Sequence, residues 1–534
     1  MTKGMVCAPQ PEAVEAGALA LKRGGNAVDA AIVCALVQTV VDPLMCGLAG
    51  FGSLQLFLPD KGHHGYIDFH TTAPAAASAD MWVDQIAAQS RDGFGFILKD
   101  RANECGYQSI MTPGSLKAFY EAVTEFGTMA WPDIIQPAID HAKKGFVVRP
   151  HVDEFWSAPN TMGRMSMLDK LRHSPASRAI YLDGDRPYPV GTRVTNMDMK
   201  RSLERVREGG ADIFYKGDLA TEMVRDIQSN GGLVALDDLR NYRTVRNDPV
   251  WGRYRDYEIA TNQPPGGGIM LIEMLNILEQ FDLRSFGHNS SKYVATVAEA
   301  MKVATIDKDS KLGDPSFEDV PVAEFLDKAY ARDIASRIRD GKKSNVTRLG
   351  HPEESRDTTH VTVVDDLGNA VSMTHSLGMP SGVVSPGLGF MYNGCMGAFD
   401  PRPDQPHSIA PGKRRFTAMC PTIVFKNAKP YIVIGAPGGT YITMGVLQAI
   451  LNVIDFDMTM TEAVAAPRFT ANSNTIDVSN RIPHFVTDEL QRRGYPIERN
   501  PFSYVFAGVH AIRICNGKWD GGADPGRDGM ALAV

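Results

Sequence analysis

The chain has 534 residues, of which 43% are hydrophobic and 22% charged, the composition of a soluble globular protein long enough for two or more domains. Its net charge of -7 argues against a basic nucleic-acid-binding surface, and its longest nearly apolar run, residues 30–41, is too short to span a bilayer. The seven cysteines show no CxxC spacing, which indicates reduced thiols rather than a zinc ribbon or a disulfide scaffold. No apolar segment follows the first residues, so we expect no secretory signal and a cytoplasmic protein.

The first predicted elements are helices over residues 11–23 and 26–41, the second almost free of charge and capped by Asn26. Glycine-rich turns then lead into a strand that ends near residue 57, and another strand covers 66–69. The helices predicted for the middle of the chain cover residues 116–126, 197–207, 219–229, 269–280, 291–311 and 323–339.

The character of the sequence changes at residue 358, after a polar run over 340–357. The elements predicted beyond it are strands over 359–365 and 370–375, strands over 421–425 and 431–435, and a helix over 441–453. Because strands and helices occur in both parts, the pattern predicts one layered α/β body built by the whole chain.

Thr358 stands between that polar run and a core strand, directly after Asp357. If the chain is cut before Thr358, this residue gains a free α-amine beside its hydroxyl, and an N-terminal amine can act as the base for a Thr nucleophile. Thr is also common in strands, so an ordinary strand residue is the second interpretation of these letters.

Residues 435–440 (GAPGGT) lie between a predicted strand and a predicted helix. Two glycine amides at a helix N-terminus would form an anion or oxyanion site, whereas glycine serves a tight strand-to-helix turn equally well, so both interpretations stay open. The sequence contains no Walker A loop, HExxH or G-x-S-x-G motif, and its 13 histidines form no metal-ligand pattern.

Motifs in the same order over nearly the whole length resemble the γ-glutamyltransferase family of N-terminal-nucleophile hydrolases. The strongest block is 357–360 (DTTH) followed by 366–371 (DLGNAV). The other matching segments are 4–6, 24–31, 67–69, 73–75, 264–265, 267–269, 312–315, 421–424, 435–439, 466–469 and 523–525. So many matches in order favour the nucleophile interpretation of Thr358.

The resemblance implies an α/β fold of the four-layer αββα sandwich type and self-cleavage between Asp357 and Thr358. The products would be a large subunit, residues 1–357, and a small subunit, residues 358–534, intertwined in one body as a heterodimer. A dimer of such heterodimers is also open, and neither a nucleic acid nor a membrane is an expected partner.

The resemblance also assigns the catalytic roles. Thr358 would be the nucleophile, and Gly438 and Gly439 match the oxyanion-hole glycines of the family. Ser376 falls where the family usually has a second Thr that hydrogen-bonds the nucleophile. This chemistry requires no cofactor and no metal.

The substrate pocket departs from the family pattern. His70 stands where γ-glutamyl enzymes have an Arg that binds the substrate α-carboxylate, and Gly378 stands where they have an Asn. Cys395 and Ala398 stand where the family has the acceptors of the substrate α-amino group. Thr417 and Ala418 stand where it has a pair of serines. Charge-assisted contacts contribute roughly 1.5–3 kcal/mol each, so losing three would weaken recognition about 10³-fold or more.

We therefore expect a self-processing Thr amidohydrolase that acts on a small amide other than γ-glutamyl, like oxamate amidohydrolases or cephalosporin acylases. An acyl carboxylate could then be held by His70 and Thr417, and water or an amine would accept the acyl group. One alternative is a γ-glutamyltransferase or glutathione hydrolase with a rearranged pocket. Another is an uncleaved, inactive homologue that serves as a binding protein.

Overall fold

The computed structural model describes residues 2–90, 93, 95–157, 164–347, 358–502 and 505–534. In this part of the chain the strands are β1 (Gly4–Ala8), β2 (Phe51–Leu58), β3 (His63–Asp68), β4 (Ile86–Gln89), β5 (Phe96–Leu98), β6 (Phe146–Val147), β7 (Leu182–Asp183), β8 (Arg186–Pro187), β9 (Arg193–Val194), β10 (Val245–Asn247), β11 (Val250–Tyr254), β12 (Tyr257–Thr261), β13 (Thr359–Asp365), β14 (Ala370–Ser376), β15 (Pro380–Val384), β16 (Met391–Asn393), β17 (Thr422–Lys426), β18 (Lys429–Gly435), β19 (Phe469–Thr470), β20 (Ile476–Ser479), β21 (Ile497–Asn500), β22 (His510–Cys515), β23 (Lys518–Ala523) and β24 (Met530–Ala533).

The α-helices in the same residues are α1 (Pro11–Lys22), α2 (Ala27–Val41), α3 (Ser115–Phe126), α4 (Trp131–Lys144), α5 (Pro150–Ser157), α6 (Met167–Leu171), α7 (Pro175–Tyr181), α8 (Met197–Gly209), α9 (Asp212–Tyr215), α10 (Asp218–Ser229), α11 (Leu236–Asn241), α12 (Gly268–Leu278), α13 (Leu283–Phe286), α14 (Ser291–Lys311), α15 (Val322–Leu326), α16 (Lys328–Arg339), α17 (Ile442–Ile454), α18 (Met460–Ala465) and α19 (His484–Arg492). None of these described helices is long and apolar enough to cross a membrane.

Two antiparallel sheets form the centre of the described structure. The first has the strand order β10-β3-β2-β14-β13-β1-β24, and the second has the order β11-β12-β17-β18-β22-β23. Their facing sides bury a shared apolar layer made of Met5, Cys7, Ala260, Val364, Ala370, Ile423, Phe425, Val433 and Ile512. Helices α1 and α2 cover the outer face of the first sheet, and α12 and α17 cover the second. The predicted four-layer αββα sandwich is confirmed.

Strands that precede residue 358 and strands that follow it are interleaved in the first sheet. Strand β1, near the start of the chain, pairs antiparallel with β13 on one side and with β24, the last strand, on the other. Strand β2 pairs in the same way with β14. The two segments therefore share one hydrogen-bonded sheet.

Helix α2 shows how a local sequence signal positions the site. The predicted cap is confirmed, because the Asn26 side chain accepts hydrogen bonds from the amides of Val28 and Asp29, and Asp29 accepts one from the amide of Asn26. Every residue of α2 is buried, as its nearly charge-free sequence predicts. The helix crosses the first sheet and carries Gln38 to the start of β13.

One helix prediction needs correction, and one helix was missed. The segment 323–339 is not one helix but two, α15 and α16, because the Asp327 side chain accepts hydrogen bonds from the amides of Ala329 and Tyr330 and caps a new helix there. Helix α4 was not predicted, since Pro137 lies within it and interrupts the helical pattern.

Candidate active site

Thr358 directly precedes β13 and is 3% exposed. Thr359 pairs with His375 across the β13–β14 hairpin, so the register places Thr358 opposite Ser376. The Oγ1 atom of Thr358 lies 3.3 Å from the Oγ of Ser376, and the amide of Gly378 donates to that same Ser376 oxygen at 2.8 Å. The predicted nucleophile and its predicted hydroxyl partner are thus adjacent.

Asp357, the residue on the other side of the predicted cleavage, lies outside the described residues, as does the chain from 348. The cleavage between Asp357 and Thr358 therefore stays a prediction.

Buried amides and imidazoles fix the backbone next to Thr358. The Nε2 atom of Gln38 donates to the Thr359 hydroxyl at 3.0 Å and to the His360 carbonyl at 3.3 Å. The Oε1 atom of Gln38 is 2.8 Å from Nε2 of His375, and Gln10 accepts a further hydrogen bond from Gln38 at 2.9 Å. This network holds the beginning of β13 rigidly, as a site on a strand requires.

The two histidines in this layer predict acid-sensitive folding. Burial lowers the pKa of both His360 and His375 to about 3, whereas a histidine in the unfolded chain has a pKa near 6.5. Between these values the unfolded chain binds protons that the folded chain does not, so the free energy of unfolding falls as the pH falls below about 6.5. Each histidine should lower the free energy of unfolding by about 2 kcal/mol at pH 5 relative to pH 7.

Urea unfolding midpoints at about pH 7, 6 and 5 measure this effect. His375→Gln should show a smaller decrease between pH 7 and 5 than the wild type, while the exposed His484→Gln should decrease as the wild type does. An unchanged wild-type midpoint over this range would contradict the assignment of both histidines as neutral when folded.

The glycines predicted to form an oxyanion hole lie where β18 of the second sheet ends. Gly435, the last residue of β18, packs so closely on the ring of His360 that a Cβ there would be 2.1 Å from Cε1. Gly438 and Gly439 follow with φ of 141° and 55°. Neither glycine amide hydrogen-bonds to an acceptor in the described part of the chain. Because His360 is two residues from Thr358, these amides lie at the same end of β13 as the nucleophile.

His70 lies at the end of a buried chain of charged groups. Asp314 accepts two hydrogen bonds from the Arg414 guanidinium at 2.6 and 3.1 Å, and Arg414 also lies 3.5 Å from Asp68. Asp68 binds Nδ1 of His70 and accepts the His70 amide at 3.0 Å. Burial alone would raise the pKa of Asp68, but His70 and Arg414 hold that pKa below its ordinary value. This chain fixes the His70 ring, whose Nε2 is buried without a hydrogen-bond partner among the described residues.

Gly378 and Cys395 lie close to the nucleophile. A Cβ at Gly378 would be 2.7 Å from the Cys395 sulfur, and the thiol donates to the Leu377 carbonyl at 3.4 Å. Burial raises the pKa of the Cys395 thiol, and the positive charge of Arg415 opposes that rise. The thiol is therefore neutral near pH 7 and cannot pair with a substrate ammonium group as a carboxylate would.

The structure records other contacts for the remaining predicted pocket residues. Thr417 accepts the Met419 amide at 3.3 Å, and the Ala418 carbonyl accepts the Thr443 hydroxyl at 3.1 Å. Ala398 lines a cavity of about 250 Å³, together with Phe96 and Arg402. No described contact joins these three positions to Thr358, and their part in substrate binding stays a prediction.

Sequence reasoning missed Arg415, whose side chain is fully buried beside Phe51 and Gly378. The only signal was an arginine next to Arg414 in a segment that leads to a core strand. The described residues contain no cluster of three or more His, Cys, Asp or Glu side chains that could hold a metal ion.

Comparisons with known proteins give the same family over the whole chain. A family model described as gamma-glutamyltranspeptidase matches residues 13–534. The acylase ACY 1 proenzyme of Pseudomonas sp. (strain SE83) is 38% identical over 100% of this chain and 94% of its own length. The glutathione hydrolase proenzyme of Escherichia coli (strain K12) is 35% identical, over 88% of this chain and 80% of its own. The crystal structure of cephalosporin acylase from Bacillus halodurans has a TM-score of 0.87 at 26% identity, and the match covers 99% of this chain and 96% of that one.

Proposed function

We propose, since this chain belongs to the gamma-glutamyltranspeptidase family, that it is a self-processing amidohydrolase with Thr358 as its nucleophile. The observation that carries the proposal is the 3.3 Å distance between the Thr358 and Ser376 hydroxyl oxygens, at the end of the strand pair where β13 begins and β14 ends. The Pseudomonas and Escherichia coli relatives are both proenzymes, which supports maturation by cleavage.

Self-cleavage would proceed through an ester. The Thr358 hydroxyl oxygen attacks the carbonyl carbon of Asp357, the peptide C–N bond breaks, and the nitrogen becomes the α-amine of Thr358. Water then hydrolyses the ester, which restores the hydroxyl and leaves a carboxyl group on Asp357. The segments 1–357 and 358–534 would remain together, because their strands alternate in the first sheet.

Turnover would use the new terminus as the base. The α-amine of Thr358, with an ordinary pKa of about 7.7–8.0, takes the hydroxyl proton while Oγ1 attacks the substrate amide carbon. The amides of Gly438 and Gly439 stabilise the negative oxygen that forms. The substrate amine leaves with the proton, and water or an acceptor amine releases the acyl group from Thr358.

The preferred acyl group would not be γ-glutamyl. A neutral buried thiol, Cys395, stands where the resemblance implies an acceptor for the substrate α-ammonium group, and His70 stands where it implies an arginine. The similarity to an acylase proenzyme and to a cephalosporin acylase supports an acylase-type substrate. The 35% identity to a glutathione hydrolase favours the second candidate, a γ-glutamyl hydrolase with a rearranged pocket.

A pair of anilides that differ in one group tests this choice. Glutaryl 4-nitroanilide is γ-glutamyl 4-nitroanilide without the α-amino group, and it should have the higher kcat/KM, by roughly tenfold or more if one ammonium contact is missing. Oxalyl, malonyl, succinyl and adipyl anilides would define the acyl length. A higher kcat/KM for the γ-glutamyl anilide would support the second candidate instead, and no turnover of any anilide would contradict both.

A further inference from the structure

Arg415 is a buried positive charge in the wall of the candidate active site. The residue is 2% exposed, and its guanidinium carbon lies 4.3 Å from the centre of the Phe51 ring. Its Nη1 donates to the Phe416 carbonyl at 2.9 Å. An arginine stacked on an aromatic face keeps its planar fork in a fixed orientation.

The neighbouring backbone determines where this side chain lies. Arg414 forms an antiparallel bridge with Thr72, and the Lys413 carbonyl accepts a hydrogen bond from the Ala73 amide at 2.9 Å. The Arg414 side chain is held by Asp314 at 2.6 Å. This pairing therefore fixes the backbone of Arg415 beside the segment that contains His70, and the position of Arg415 does not depend on an exposed loop.

A short series of contacts connects Arg415 to the nucleophile. A Cβ at Gly378 would be 3.0 Å from Nη2 of Arg415, and the Gly378 amide is 2.8 Å from the Ser376 hydroxyl. The Ser376 hydroxyl is in turn 3.3 Å from Oγ1 of Thr358. The guanidinium thus lies beside Gly378, which is two residues beyond Ser376, the hydroxyl partner of the nucleophile.

His70 supplies a second polar group beside the same ring. Its imidazole centre is 5.9 Å from that of Phe51, and the residue is 2% exposed. Nδ1 is held by Asp68, while Nε2 is buried with no partner among the described residues. A buried nitrogen of this kind costs free energy unless a bound ligand satisfies it.

We propose that Arg415, together with His70, binds a terminal carboxylate on the acyl group and makes the enzyme selective for amides of dicarboxylic acids. The inference rests on the proposed amidohydrolase function and specifies its substrate class. A planar guanidinium recognises a carboxylate through two parallel hydrogen bonds, and burial strengthens that interaction. Arg415 would thereby restore, from a different segment of the chain, the positive charge that is missing at position 70.

The test compares each dicarboxylic monoanilide with its neutral methyl ester. For the wild type, kcat/KM for the acid form of the best anilide should exceed that for its ester by about 100-fold. In Arg415→Met this ratio should fall to about 1, chiefly through a higher KM for the acid. Arg415→Lys, which keeps the charge but loses the fork, should give an intermediate ratio. The ratio is insensitive to the fraction of enzyme that folds.

Arg246→Met is the matched control, because Arg246 pairs with Glu121 and Glu125 and is 39% exposed in its side chain. It should keep both the ratio and the activity of the wild type. A ratio in Arg415→Met equal to that of the wild type would overturn the inference, as would a wild type that hydrolyses acids and esters equally. A wild type that hydrolyses neither form would instead contradict the proposed function. If Arg415→Met does not fold, an unchanged ratio in Arg415→Lys overturns the inference.

Discussion

Thr358→Ala should stop cleavage of the chain and reduce amide turnover by roughly 10⁴-fold or more. The substitution removes the only oxygen that can attack both the Asp357 carbonyl and the substrate in the proposed mechanism. On a denaturing gel the wild type should give fragments of 357 and 177 residues, and the variant a single band of 58.2 kDa. N-terminal sequencing of the smaller wild-type fragment should begin at Thr358.

Thr359→Ala is the control for a lost hydroxyl at this position in the sheet. The Thr359 hydroxyl bonds to Gln38 within the buried network, so its loss should cost about 1 kcal/mol of stability and leave cleavage intact. Thr358→Ser, which keeps a nucleophilic oxygen, should retain partial cleavage. Two bands and full turnover from Thr358→Ala would end the nucleophile assignment. A single uncleaved band from the wild type after long incubation would support the inactive binding protein.

Gly438→Ala should lower kcat by roughly 10²–10³-fold with a smaller change in KM. The backbone at Gly438 has φ of 141°, and a Cβ there would be 2.6 Å from the Cα of Ala507. The backbone must therefore move, which displaces the two amides that would bind the negative oxygen of the tetrahedral intermediate. Steady-state kinetics with the best anilide measures the change.

Gly387→Ala separates this effect from simple backbone strain. Gly387 also has positive φ, 80°, but nothing lies within 4 Å of its added Cβ. Both variants should lose about 1 kcal/mol or more of stability, measured as a lower unfolding midpoint, but only Gly438→Ala should lose kcat. A folded Gly438→Ala enzyme with kcat within about threefold of the wild type would exclude an oxyanion role for this glycine.

Local patterns were sufficient for the parts of the site that neighbours in sequence create. The Asn26 cap fixes where α2 begins, and the β13–β14 hairpin brings Thr358 opposite Ser376 because its turn sets the register. The change from a polar run to a core strand at Thr358 is also visible in the sequence, because it too depends only on residues that are close in sequence. These features depend on hydrogen bonds and spacing within about twenty residues.

Features that depend on distant segments were not predictable in the same way. Arg415 contacts Phe51 and Gly378 only because the bridge between Arg414 and Thr72 folds a far part of the chain against the first sheet. The break at Asp327 was also missed, since a capping Asp inside a helical pattern resembles any other polar residue on the exposed face. Conversely, the resemblance to a family supplied the proposed oxyanion roles of Gly438 and Gly439, which spacing alone left open.

The position of β1 between β13 and β24 has a consequence for the order of events in maturation. If the backbone is cut as proposed, rebuilding the first sheet from denatured enzyme would require two separate polypeptides to meet, so recovery would become concentration-dependent. The intact precursor faces no such encounter. Folding of the whole chain should therefore precede its cleavage. At high dilution, heat-inactivated mature enzyme would regain activity far less readily than the uncleaved precursor regains its structure.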